Sequence, residues 1–69
     1  MHLYEKIKER RQLLGITQQD LADISGVALR TIKQLENDDR ANPSLKTLSK
    51  VLDVLGLELD IVLKNQDRL

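Results

Sequence analysis

The chain has no cysteine, so neither a disulfide framework nor a thiolate zinc site is available to it. It has no tryptophan, no phenylalanine and one tyrosine. Apolar volume must therefore come from Leu, Ile and Val, which suits small packed helices. The single histidine is His2, at the start of the chain, and no catalytic base is visible for Tyr4 or the serines. With no cysteine nucleophile and no glycine-rich phosphate loop, no catalytic constellation is present. We expect no enzyme activity and no cofactor. Asp38 and Asp39 are adjacent carboxylates, but neither a His nor a further acid clusters with them, so a solvated loop is expected and no metal site. No apolar run approaches the ~20 residues that span a bilayer, and the N-terminus lacks the apolar core of a signal peptide. The expectation is a soluble, cytoplasmic protein without a membrane partner. An excess of charge is missing too: 11 basic and 11 acidic residues give a net charge of zero. Strong non-specific nucleic-acid binding rests on phosphate neutralisation, so this balance argues against it while leaving room for a small, locally basic surface.

What the chain does have is helical periodicity within 69 residues, the size of one domain, expected over residues 1–69. A core this small supplies ~3–5 kcal/mol, which makes oligomerisation a natural source of further stability. Residues 3–14, LYEKIKERRQLL, place Leu3, Ile7 and Leu14 at roughly helical spacing. Residues 44–55 begin with Ser44, a good N-cap. Leu45, Leu48, Val51, Leu52 and Leu55 then form one apolar stripe. Between them residues 38–44, DDRANPS, read as a loop, because Asn42-Pro43 stops a helix.

The organising stretch is residues 17–37, TQQDLADISGVALRTIKQLEN. Thr17 stands three residues before Asp20, the spacing of a capping box. Leu21, Ala22 and Ile24 mark the apolar side of a helix at about 18–25. Gly26 falls where the chain must turn sharply. Ile32 and Leu35 then face one way on a second helix at about 28–37. Helix, glycine turn, helix is the layout of a DNA-binding helix-turn-helix.

After residue 56 the period changes. Residues 57–64, LELDIVLK, alternate Leu57, Leu59, Ile61 and Leu63 with Glu58, Asp60, Val62 and Lys64. Period two with β-branched residues predicts a strand, followed by a frayed tail over 65–69. The chain offers no second strand, so a copy of itself is the simplest mate. Centring an antiparallel pair on Ile61 sets Glu58 opposite Lys64 and avoids the like-charge contact that centring on Asp60 would create; centring on Val62, which pairs Asp60 with Lys64, is the runner-up.

Through T-Q-x-x-L-A, G-V, T-I and L-E-N the chain resembles the Cro/repressor-type, XRE-like helix-turn-helix family. With the terminal strand it is most like HipB-type antitoxin repressors. The resemblance implies a mainly α fold: four helices, closed by a C-terminal strand that pairs across a homodimer. It also implies an ion pair between Arg11 and Glu36 bridging helices one and three. By position in the motif, Ala28, Leu29, Arg30, Thr31 and Gln34 are expected at base edges. Arg offers two donors to guanine, Gln pairs bidentately with adenine, and Ala28 and Leu29 offer only apolar contact. Gln18, Lys33 and Asn37 are expected on phosphates, with C-terminal capping a second role for Asn37. Partners implied are double-stranded DNA with an inverted-repeat operator, a second copy of the chain, and a HipA-like kinase toxin whose operon the protein would repress. Two other readings remain open at this point: a toxin-neutralising adaptor with incidental DNA contact, and a stand-alone regulator of the phage or restriction-controller kind.

Overall fold

The computed structural model describes residues 2–38 and 40–60. Four helices follow one another: α1 (Leu3–Leu13), α2 (Gln18–Ser25), α3 (Leu29–Asn37) and α4 (Leu45–Val54). The fold is an all-α helix-turn-helix domain, and among the described residues there is no strand.

Local chemistry sets the helix ends. At α2 the capping box is complete. Thr17 Oγ1 accepts from the Asp20 N–H at 3.0 Å, and Asp20 Oδ2 accepts from the Thr17 N–H at 2.9 Å. That backbone donor, and then the Thr17 side chain, hold the Asp20 carboxyl below its usual range. Gly26 closes α2 at φ 74°, the left-handed region that costs a Cβ-bearing residue ~1–2 kcal/mol. Ala28 keeps an extended ψ of 141° as the N-cap of α3, so that helix begins one residue later than the periodicity predicts. Ser44 Oγ accepts from the Thr47 N–H at 3.1 Å and starts α4.

α2 packs on α3 and on α4, and α1 packs on α3. The core they enclose is aliphatic: Ile7, Leu21, Ala22, Val27, Ile32, Leu35, Leu48, Val51, Leu52 and Leu55 are all buried. Burying one such Leu or Ile fully is worth ~1.5–3 kcal/mol. The apolar pattern overreaches at the helix ends. Ile24 is 64% exposed and Leu45 is 74% exposed, because each continues a stripe past the point where a neighbouring helix covers it. Leu3 and Leu14 at the two ends of α1 are open to solvent as well, and only Ile7 of that helix is buried.

α4 ends in a reciprocal turn. Gly56 N–H donates to Asp53 O at 3.1 Å and Leu57 N–H to Leu52 O at 2.8 Å. This is the double bond pattern of a Schellman cap, with Gly56 at φ 70°. Arg10 reaches across from α1, and its Nε donates to Leu55 O at 3.1 Å. Beyond this cap residues 57–60 have no regular structure, which departs from the strand expected over 57–64. Alternation decides which face a side chain takes, but a strand also needs an edge to pair with, and the described residues of a single chain supply none. Leu57 packs against the core instead, and Leu59 is half exposed. Ile61, Leu63, the register across them and the tail over 65–69 lie outside the described residues.

Candidate nucleic-acid interface

α3 has two unlike sides. Ile32, Leu35 and Glu36 are buried. Arg30, Lys33, Gln34 and Asn37 are exposed, and their i, i+3, i+4, i+7 spacing puts them in one row. Of the three charged residues on α3, the carboxylate is turned inward and the two cations outward. Neither Arg30 nor Lys33 takes part in the ion pairs of the described residues, which are Lys6–Glu9, Arg11–Glu36 and Arg40–Asp38. A chain of zero net charge thus presents a locally cationic helix face.

The inward carboxylate is held by three donors. Arg11 Nε lies 2.7 Å from Glu36 Oε2 and Arg11 Nη2 lies 3.0 Å from Oε1, a bidentate pair. Gln18 Nε2 donates to the same Oε1 at 3.1 Å. Arg11 Nη1 donates to Ile16 O at 2.9 Å, so the guanidinium also pins the α1–α2 turn. The Glu36 side chain is fully enclosed and that of Arg11 is 12% exposed. The hydrogen bonds from Arg11 to Glu36 raise the Arg11 pKa, desolvation opposes them, and the Coulombic attraction of Glu36 adds to them. No buried side-chain polar atom among the described residues lacks a partner. This network joins α1, the N-terminus of α2 and α3, and it fixes the angle at which α3 stands against α2.

The residues singled out in the sequence distribute as follows. Ala28, Arg30 and Gln34 are exposed along α3. Thr31 is partly buried. Leu29 is partly buried too, and it packs against the core, so its apolar surface is largely used internally. Gln18 was expected to point at phosphate, yet one of its N–H groups is spent on Glu36. Its carbonyl oxygen and second N–H remain beside the α2 N-terminus. Asn37 Nδ2 donates to Lys33 O at 2.8 Å, a capping bond at the end of α3. After α3, Asp38 Oδ1 accepts from the Arg40 N–H at 2.9 Å. That backbone bond, ahead of the Arg40 side chain, lowers the Asp38 pKa. The Gln18–Glu36 and Arg10–Leu55 bonds span 18 and 45 residues; no local spacing announces either. A groove of about 420 Å³ runs along the edge of α3 opposite Gln18, between Thr31 and Gln34 on one side and Asn42, Thr47 and Lys50 on the other.

An exposed polar helix, tied by a buried charge network to the N-terminus of the helix before it, defines a helix-turn-helix nucleic-acid-binding domain. A family model described as helix-turn-helix matches residues 7–62, and the chain belongs to that family, in its XRE-like, Cro/repressor-type branch. An uncharacterized HTH-type transcriptional regulator of Haemophilus influenzae is 42% identical over 60 residues, covering 87% of this chain and 60% of that one. SinR, the master regulator for biofilm formation, solved in complex with DNA, superposes with a TM-score of 0.74 at 32% identity. That match covers 81% of this chain and 89% of the SinR chain. A chain of a HipA-HipB-O2-O3 complex superposes at 0.77 with 34% identity, covering 90% and 86%. The chain spans under two thirds of the length of the first curated relatives it matches. Its homologues are HTH-type transcriptional regulators. No helix among the described residues is long and apolar enough to cross a membrane.

Proposed function

We propose that the chain is a sequence-specific DNA-binding repressor that acts as a homodimer, with α3 in the major groove. The observation that carries this reading is the row Arg30, Lys33, Gln34 and Asn37, cationic and exposed on a helix whose only carboxylate is sequestered by Arg11. Arg30 and Gln34 read bases, Ala28 and Thr31 lie at the edge of that contact, and Leu29 supports it from the core side. Gln18, Lys33 and Asn37 meet phosphates. One motif per chain in a dimer gives an inverted-repeat operator with half-sites ~34–36 Å apart. The test is equilibrium binding across a salt series to a duplex selected from a randomised pool. A steep fall of affinity with salt is expected, since each phosphate contact adds ~0.9 to the slope. A flat response, or a footprint on one isolated half-site without dyad symmetry, refutes the reading.

We further propose that the protein is the antitoxin of a HipBA-like system that binds a kinase-like toxin. The likeness to a chain of the HipA-HipB-O2-O3 complex supports this, as does the alternating pattern of residues 57–64. The likeness to SinR bound to DNA favours the other reading, a regulator without a toxin. Titrating the protein with the product of a neighbouring kinase-like gene separates them: a stable complex supports the antitoxin, and no complex at micromolar concentrations supports the stand-alone regulator.

A further inference from the structure

The groove of about 420 Å³ beside α3 carries a contact that the motif does not assign. Its floor is apolar, from Val27, Leu35 and Ala41, and no carboxylate lines it. Lys50, exposed on the middle of α4, stands at its far lip and forms none of the ion pairs found among the described residues. Thr47 adjoins it. Ser44 Oγ donates to Thr47 Oγ1 at 3.0 Å, so the Thr47 hydroxyl hydrogen is left to point elsewhere.

Position on the wheel of α3 gives the groove its meaning. Glu36, which holds Gln18, lies on one flank of that helix, while Thr31 and Gln34 border the groove on the other. A helix lying in a major groove ~12 Å wide has a sugar–phosphate backbone on each side. Gln18 and the α2 N-terminus face one strand, and the groove faces the other.

We propose that this groove seats the backbone of the second DNA strand, with Lys50 making the phosphate contact and Thr47 donating beside it. The assignment rests on the DNA-binding reading above and adds a residue outside the helix-turn-helix. Its occupant follows from charge complementarity, a cation outside the ion pairs of the described residues at the lip of a groove that no carboxylate lines, and from continuity with the exposed row of α3.

The test uses the full chain, a random-sequence 25-base-pair duplex pool and a duplex selected from a randomised pool, with binding followed by fluorescence anisotropy from ~0.05 to ~0.3 M salt. Lys50→Ala removes one contact from each protomer of the dimer, so it should lower the salt slope by about 1.8 and weaken binding about 60-fold near 0.1 M, equally on both duplexes. Lys50→Arg should retain the slope. Lys8→Ala, on α1 and outside the lining of the groove, should match the unmodified chain. Circular dichroism verifies that each variant is folded, and Lys50 is exposed enough for this to be expected. A steep slope in the unmodified chain with the same slope and affinity in Lys50→Ala overturns the groove contact and leaves the DNA reading standing. A loss confined to the selected duplex also overturns it, because a backbone contact carries no sequence. A flat slope in the unmodified chain overturns both readings together.

Discussion

Replacing Glu36 by Ala removes the acceptor for three N–H donors at once. The two guanidinium donors of Arg11 and the amide of Gln18 then face a cavity in which Arg11 retains its charge and only 12% of its side-chain exposure. Breaking a buried pair by removing one partner costs ~3–5 kcal/mol, most of it the desolvated charge left behind. A domain of this size has ~3–5 kcal/mol of core stability in all. The expected outcome is a chain largely unfolded at 25 °C, or a melting midpoint lowered by at least ~12 °C, at ~4–8 °C per kcal/mol for 60–100 residues. Urea and thermal unfolding followed by circular dichroism measure it. The double variant Arg11→Met/Glu36→Met should lose less than the sum of its single variants, because it removes the stranded charge along with the partner. A Glu36→Ala protein within ~0.5 kcal/mol of the parent, or a double variant that is simply additive, would refute the claim that this pair is desolvated and coupled.

Arg30→Ala should cost ~1–3 kcal/mol of operator binding and relax preference at one base pair, read on a panel of single-base operator variants. Gln18→Ala should weaken all sequences alike; because it also removes a donor to Glu36, a modest fall in melting temperature accompanies it. Ile61→Asp, or a chain cut after Gly56, should sediment as a monomer and lose operator binding together with dimerisation; a stable dimer in both places the interface elsewhere. Acid sensitivity follows from Asp20, whose folded carboxyl sits below its ordinary pKa of 3.8. Its contribution is fully present above the unfolded value and is lost as pH falls from there through the lower folded value. Asp20→Asn should flatten the acid limb of a stability–pH curve in that window, and an unchanged limb would show that the capping box contributes nothing there.

How much of this was legible in the sequence divides by range. The Thr17–Asp20 box, the Ser44 cap and the Gly26 turn are contacts within three or four residues, and the chain spells them out. Leu21, Ile32 and Leu48 fall on their apolar faces for the same reason. Periodicity has no way to mark where a stripe runs beyond its neighbour, so Ile24 and Leu45 read like core residues and stand in solvent. Nor does it show that Leu29, at the entry of α3, leans on the core. The Arg11–Glu36 pair was expected through family resemblance alone. Gln18–Glu36 and Arg10–Leu55 depend on how the helices are stacked, and nothing near them in the chain foretells it. The strand is a different matter: alternation is a statement about faces, whereas a strand is a property of two edges, and the described residues 57–60 of a lone chain have only one.

Arg10 and Arg11 are neighbours on one turn of α1, yet they serve different ends of the molecule. Arg11 holds α3 through Glu36, and Arg10 holds the carbonyl of Leu55, the C-cap of α4, just before Gly56, where a Cβ would stand 3.3 Å from its guanidinium. A partner seated on the segment after Gly56 that disturbed Arg10 would therefore act on the same helix that holds α3 and its exposed row. Linkage makes the effect reciprocal: whatever factor a partner at that end imposes on operator affinity, the operator imposes on the partner's affinity in return.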